Sequence, residues 1–277
     1  CWRGLAESSS HILDLHRVGQ IGSAKIADPV PLLLQRGSSS YLDLGVDDLG
    51  AENSYQKRRL MQWQSMRAGG TEWLPRALQT SLAGHEIAPG FPLHFVDFEA
   101  CDLSLPHHAG LRPYERVAFQ WSCHTVNADG TLSHQEWLNT SRDFPNFAFA
   151  QTLSECVGDA GTVYVWSPYE QTTLKKILRQ IEEWTAHDRE KALWASGLTD
   201  HTVLDKLAVW IDRLLGPEDA TGKRHSERIQ DLHKLAYEHY FHPRMAGRTS
   251  IKVVLPGIWE SDEKIRNHPC FAEYLGA

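Results

Sequence analysis

The chain has 277 residues, enough for one large domain or two modest ones. Hydrophobic residues make up 42% and ten residues are tryptophan, so the composition fills a core and argues against global disorder. Lys and Arg total 28 against 35 Asp and Glu, a formal net charge of −7, so no basic field announces nucleic acid, although a nuclease needs only a local basic groove.

The first ninety residues differ in texture from the rest. "HILDLHRVGQIGSAKI" has a short helical pattern, a turn at Gly19 and Gly22, and a second short helical pattern. "RGSSSYLDLGVDDLGAE" is turn-rich and predicts irregular chain. Asn53 to Ala68 predicts a helix capped by Asn53 or Ser54. "HEIAPGFP", His85 to Pro92, is a linker by composition.

A strand is predicted from Leu93 to Glu99, with Leu93, Phe95, Val96 and Phe98 as its buried residues. "ERVAFQWSCHTV" predicts a long strand, "NADG" a turn, and "TLSHQEWL" the hairpin partner. Phe144 to Val157 reads as a helix and Gly161 to Ser167 as a short apolar strand. "YEQTTLKKILRQIEEW" is an amphipathic helix with Leu174, Ile177, Leu178, Ile181 and Trp184 on one face. "VLDKLAVWIDRLL" repeats the pattern through Leu204, Leu207, Ala208, Ile211 and Leu214. "GPEDATGKRHSE" is a charged connection expected to be flexible. "RIQDLHKL" predicts a short strand entering a helix, and Thr249 or Ser250 caps a last helix in "GRTSIKVVLPGIW". The order predicts an α/β domain: a mixed sheet, a hairpin on one side, and helices on its faces.

The five cysteines, Cys1, Cys101, Cys123, Cys156 and Cys270, form no Cys-x-x-Cys pair. That usage predicts a reducing, cytoplasmic compartment without a disulfide framework. No apolar run reaches membrane-spanning length and no signal peptide opens the chain, so no membrane partner is expected. A first residue that is Cys and not Met suggests a fragment.

The chemistry concentrates in "PLHFVDFEACD". Successive strand residues point to opposite faces, so Asp97 and Glu99 share a face. Two carboxylates so close repel, and burying them unpaired costs several kcal/mol, of order 3 each. A divalent cation such as Mg²⁺ or Mn²⁺ removes that cost, and a pair of ions can clamp the oxygens of a phosphodiester. Asp-x-Glu alone is also compatible with two solvated acids at a strand end. Glu170 lies in the first turn of its helix, where it either complements the helix dipole or joins Asp97 and Glu99 at the carboxyl edge of the sheet. Asp231 begins another helix and has the same two readings. Fifteen histidines carry no metal spacing: His107 and His108 are adjacent, and His233, His239 and His242 are irregular. Trp121, Trp137, Trp166, Trp184 and Trp210 read as core rather than base-stacking platforms.

The motifs "FVDFEA", "RPYERVAFQWSCH", "HQEWL", "VYVWSPYEQTTLKKI" and "YFHPRMAGRTSIKVVLP", in that order over Pro92 to Pro256, resemble a bacterial domain of unknown function related to the DnaQ-like 3′–5′ exonucleases of the RNase H-like superfamily. The resemblance implies an RNase H-like mixed sheet flanked by helices over 91–277, preceded by a small helical segment over 1–90. It implies a two-metal nuclease acting on single-stranded DNA or RNA, with Asp97, Glu99 and Glu170 holding two Mg²⁺ or Mn²⁺ ions and Asp231 as a further catalytic acid. In such exonucleases an Asn precedes the second acid; here Ser167 and Pro168 stand there. The third motif, a Tyr or His followed by Asp on a late helix, is expected beyond "SIKVVLP", and the chain stops at Ala277 without it; Glu273 is a poor substitute. The domain commonly follows an iron–sulfur RecB-like nuclease domain, and Cys1 is either a remnant of that cluster or an ordinary terminal Cys. "LHRVGQIGSAKI" resembles a helix-hairpin-helix, in which Arg17, Gln20 and Lys25 assist phosphate binding, with Lys252 as a further contact; a plain helical spacer fits equally. A catalytically inactive scaffold of the same fold is the alternative function.

Overall fold

The computed structural model describes residues 8–22, 28–70, 79–80, 83, 90–200 and 202–269. Two compact units emerge, Cys1–Thr80 with His233–Ala277, and Ser81–Leu232. The tail after residue 232, expected to lie with the sheet, groups with the amino-terminal segment.

The second unit is built on a five-stranded mixed sheet in the order β3-β2-β1-β4-β5: β1 (Leu93–Asp102), β2 (Arg116–Val126), β3 (Leu132–Leu138), β4 (Thr162–Val165) and β5 (Ile229–Asp231). The β1–β2–β3 meander is antiparallel, while β4 and β5 add in parallel beside β1. The "NADG" turn closes as predicted: Asn127 N–H donates to Thr131 O, and Gly130 takes φ 81°, a left-handed conformation that suits glycine. Along β1 the alternation is clear: His94, Val96 and Phe98 are buried, while Phe95, Asp97 and Glu99 are exposed. Phe95 was expected in the core. Strand parity instead puts it on the face of Asp97, stacked on Tyr164 with ring centroids 5.0 Å apart.

The buried parity of β1, β2 and β4 packs on three helices: α-helix Asn146–Val157, the long helix Tyr169–Ala195, broken at Asp188, and helix Val203–Leu215. Leu174, Ile177, Leu178 and Ile181 from the second, and Leu204, Leu207, Ile211 and Leu214 from the third, are buried at the spacing read from sequence. Buried Asn146 fastens the first helix to the sheet: its Oδ1 accepts Ala118 N–H at 2.7 Å and its Nδ2 donates to Arg116 O at 2.9 Å. Trp121 and Trp210 are buried, and Trp137 and Trp184 pack against the core; Trp166 is half-buried. The connection "GPEDATGKRHSE" is tied down rather than loose. Asp219 accepts from Thr221 and Lys223 N–H, and Arg224 pairs with Asp212 and Glu218.

The first unit has its own small core of Ile12, Leu15, Ile21, Leu33, Tyr41, Leu44 and Leu49. Helix Ser54–Arg67 starts where predicted, with Asn53 Oδ1 accepting Gln56 N–H at 3.0 Å. Its inner face is polar. Arg58 and Arg59 are fully buried, and Arg58 donates to the carbonyls of Ala236, Tyr237 and Tyr240. Arg59 donates to those of His16, Leu49 and Arg17. The segment read as two helices around Gly19 and Gly22 forms only single 3₁₀ turns at Ile12–Asp14 and Val18–Gln20; its second half, with Lys25, lies outside the described residues, as do Cys1, Cys270, Glu273 and most of the "HEIAPGFP" linker. The first unit closes with helices Leu232–His239 and Ile251–Ser261, the latter capped at Ser250. No helix among the described residues is long and apolar enough to cross a membrane.

Candidate active site

The site develops where β1 outlasts β4. Strand β4 pairs with β1 only as far as Phe95–Tyr164, and the chain then leaves the sheet through Trp166, Ser167 and Pro168 to start the long helix at Tyr169. Beyond that point β1 runs on with Asp97 and Glu99, both exposed on one face. A β-bulge follows Glu99, where β2 inserts Phe119 between the partners of Glu99 and Ala100. Bulges re-aim side chains beside sites of this kind.

Glu170 sits in the first turn of the helix and is 4% exposed. Its Oε2 has no hydrogen-bond partner among the described residues. It borders a small apolar cleft on the helical side of the sheet, with Val96, Phe98, Val165 and Leu174. Its pKa is raised to about 7, chiefly by burial and in part by the charges of Asp97 and Asp231, while its own backbone N–H opposes the rise. The desolvation cost falls on the ionised form, and nearby carboxylates add to it.

Asp231 ends β5, and its Oδ1 accepts the Ser167 N–H at 2.9 Å. Ser167 has φ 96°, left-handed backbone that costs a non-glycine residue about 1–3 kcal/mol. Asp231 therefore holds the turn that launches Glu170.

Asp97 and Asp231 each lie within electrostatic reach of Glu170. Glu99 belongs to the next position along the strand and acts on Tyr169, not on Glu170. Among the described residues no three His, Cys, Asp or Glu side chains are gathered closely enough to hold a metal ion. Arg17 and Gln20 are exposed on the first unit, and Arg17 lies over the Tyr55 ring at 5.0 Å. Lys252 is exposed on the last long helix of that unit.

Sequence reasoning missed a second group on the same strand. Arg116 opens β2 opposite Asp102, and Nε and Nη2 donate to its two carboxylate oxygens at 2.7 and 2.8 Å. The guanidinium also donates to Thr173 Oγ1 and lies 4.6 Å from the Tyr169 ring centroid. The hydrogen bonds to Arg116 hold the Asp102 carboxyl below the usual carboxylate range. The strand was predicted to end at Glu99, three residues short of Asp102, and the bulge after Glu99 is what brings Asp102 opposite Arg116.

Residues 94–250, more than half of the chain, match the family described as Domain of unknown function (DUF2779). The chain belongs to that family. No curated protein and no solved structure matches it. The DUF2779 match begins at His94 in β1 and ends at Ser250, the cap of the last long helix, so it takes in every acid described above.

Proposed function

We propose that this DUF2779 protein is a metal-dependent nuclease related to the DnaQ-like exonucleases, with an RNase H-like sheet, hydrolysing phosphodiester bonds of single-stranded DNA or RNA from the 3′ end. The observation that carries the reading is Glu170. A buried carboxyl oxygen without a hydrogen-bond partner costs about 1–3 kcal/mol, and a pKa displaced by burial and by named carboxylates is characteristic of functional sites. A cation would satisfy that oxygen and reverse the repulsion from Asp97.

Asp97, Glu99 and Glu170 offer only oxygen, the donor set of a hard cation, but among the described residues they are not gathered: Asp97 and Glu99 lie on the exposed face of β1 and Glu170 borders the cleft on the helical side. These three would hold two Mg²⁺ or Mn²⁺ ions. When bound, the ions lower the pKa of water and stabilise the leaving 3′-oxygen. Glu170, raised to about 7 without a cation, must give up its proton to act as a ligand, so ion binding would be coupled to proton release. Asp231 orients Glu170 by fixing Ser167. Phe95 and Tyr164 put an aromatic stack on the strand face that carries Asp97, where a terminal base can rest. In the same reading an iron–sulfur RecB-like nuclease domain precedes this segment and the protein works in the cytoplasm.

A second reading is a catalytically inactive nucleic-acid-binding scaffold. One observation favours it: Glu170 borders an apolar cleft and is about half neutral at pH 7, a weak state for a cation ligand. Labelled single-stranded oligonucleotides incubated with Mn²⁺ decide between the two. The nuclease shortens them, and Asp97→Ala abolishes the shortening. Equal rates for Asp97→Ala and wild type would sink the nuclease. Calorimetric titration with Mn²⁺ adds a readout independent of turnover: the scaffold takes up no ion that Asp97→Ala removes.

A further inference from the structure

Four cations gather around one hollow of an otherwise acidic chain. Arg112, Arg116, Lys176 and Arg179 line a recess of about 190 Å³ with Tyr114, Glu115, Gln180 and Glu183. Most of the charges are already engaged. Arg116 and Lys176 bind Asp102, Arg112 pairs with Glu183 at 3.0 Å, and Glu115 accepts the Arg112 N–H at 2.8 Å. Arg179 is exposed and has no ion-pair partner among the described residues. Tyr114 is 66% exposed, although an aromatic ring gains from burial. Its backbone is left-handed at φ 63° and is pinned by its N–H donating to Leu103 O at 2.8 Å. A strained turn that pushes a ring into solvent beside an unpaired guanidinium is a costly way to build an ordinary surface.

The hollow is linked to the carboxylate site through Arg116 and Tyr169. Arg116 lies over the Tyr169 ring, Tyr169 precedes Glu170 in the chain, and the Tyr169 hydroxyl donates to Ala100 O beside Glu99. We propose that this hollow seats a backbone phosphate of a single-stranded nucleic acid, with Arg179 as the free cation and Tyr114 as the stacking ring for the attached base. This deepens the nuclease reading and rests on it for the identity of the strand. Guanidinium suits phosphate oxygens, and stacking on an aromatic ring tolerates any base.

The test is fluorescence anisotropy with a labelled oligothymidylate in EDTA, so that binding is read without hydrolysis. The expected result is that Arg179→Gln binds about ten-fold more weakly, the loss of one charged hydrogen bond. Its plot of log affinity against log salt becomes shallower by about 0.7, one phosphate contact on a single strand. Tyr114→Ala weakens binding without changing that slope. Both side chains are exposed, and matching thermal melts exclude misfolding. Unchanged affinity and slope in Arg179→Gln overturns the proposal, as does failure of the wild type to bind, or equally tight binding of a labelled oligoglutamate. Weaker binding by Arg179→Gln with no cleavage by the wild type in Mn²⁺ leaves the hollow standing and removes the nuclease. Cleavage by the wild type with unaltered Arg179→Gln binding does the reverse.

Discussion

Replacing Glu170 by Gln isolates the energetic cost of this carboxyl. In the folded chain Glu170 keeps its proton up to about pH 7, against 4.5 for an ordinary glutamate. Between those values the folded state binds more protons than the unfolded state, so stability falls as pH rises. The fall starts near pH 4.5, is complete just above pH 7, and leaves the ionised form as the less stable one. The gap of 2.5 pH units, at about 1.4 kcal/mol each, gives about 3 kcal/mol. Gln cannot ionise, so the stability of Glu170→Gln relative to wild type should rise by about 3 kcal/mol between pH 4.5 and pH 8. That corresponds to about 6–10 °C in Tm. Urea unfolding at a series of pH values measures the difference, and groups common to both proteins cancel. A difference that stays flat with pH would refute the reasoning, because Glu170 would then be neither desolvated nor repelled. A gain confined to chelated protein, lost on adding Mn²⁺, would link the same carboxyl to a cation.

His16 should act in the opposite direction. Burial lowers its pKa to about 4, so the unfolded chain binds the extra proton between pH 6.5 and 4, and the first unit loses stability as pH falls through that window; the protection factors of the Arg59 and Gln62 amides, with the intrinsic pH dependence of exchange divided out, should fall on acidification, and pH-independent protection would contradict this. Asn146→Ala strands the Ala118 N–H inside the second unit and leaves the Arg116 carbonyl with Gln180 Nε2 alone, and should cost about 1–3 kcal/mol in urea unfolding. Arg58→Ala empties a site that donates to three backbone carbonyls, and at least 3 kcal/mol should be lost, seen as a lower urea midpoint for the first unit. Asp231→Ala should leave cation binding by Asp97 and Glu99 intact while loosening Ser167, read as faster amide exchange at Ser167 and a lower Mn²⁺ affinity at the Glu170 position.

Local pattern determined much of this protein. Alternation along Leu93–Asp102 assigned Asp97 and Glu99 to one face, because a strand's side chains can only alternate. Spacing in "TLKKILRQI" and "LDKLAVWI" set the buried stripes of two helices, and Asn53 and "NADG" set a cap and a turn through backbone geometry that any chain must satisfy. Tertiary structure alone decided the rest. Phe95 reads as core by composition, yet its parity and its pairing with Tyr164 hold it on the exposed face. A polar inner face on Ser54–Arg67 is invisible to hydrophobic spacing, since Arg58 and Arg59 are buried by distant carbonyls rather than by apolar neighbours. Glu170 carries an ordinary first-turn identity, and only the burial around it, with Asp97 and Asp231 nearby, raises its pKa. Desolvation and charge proximity depend on distances between residues far apart in the chain, and a linear sequence records the residues without those distances.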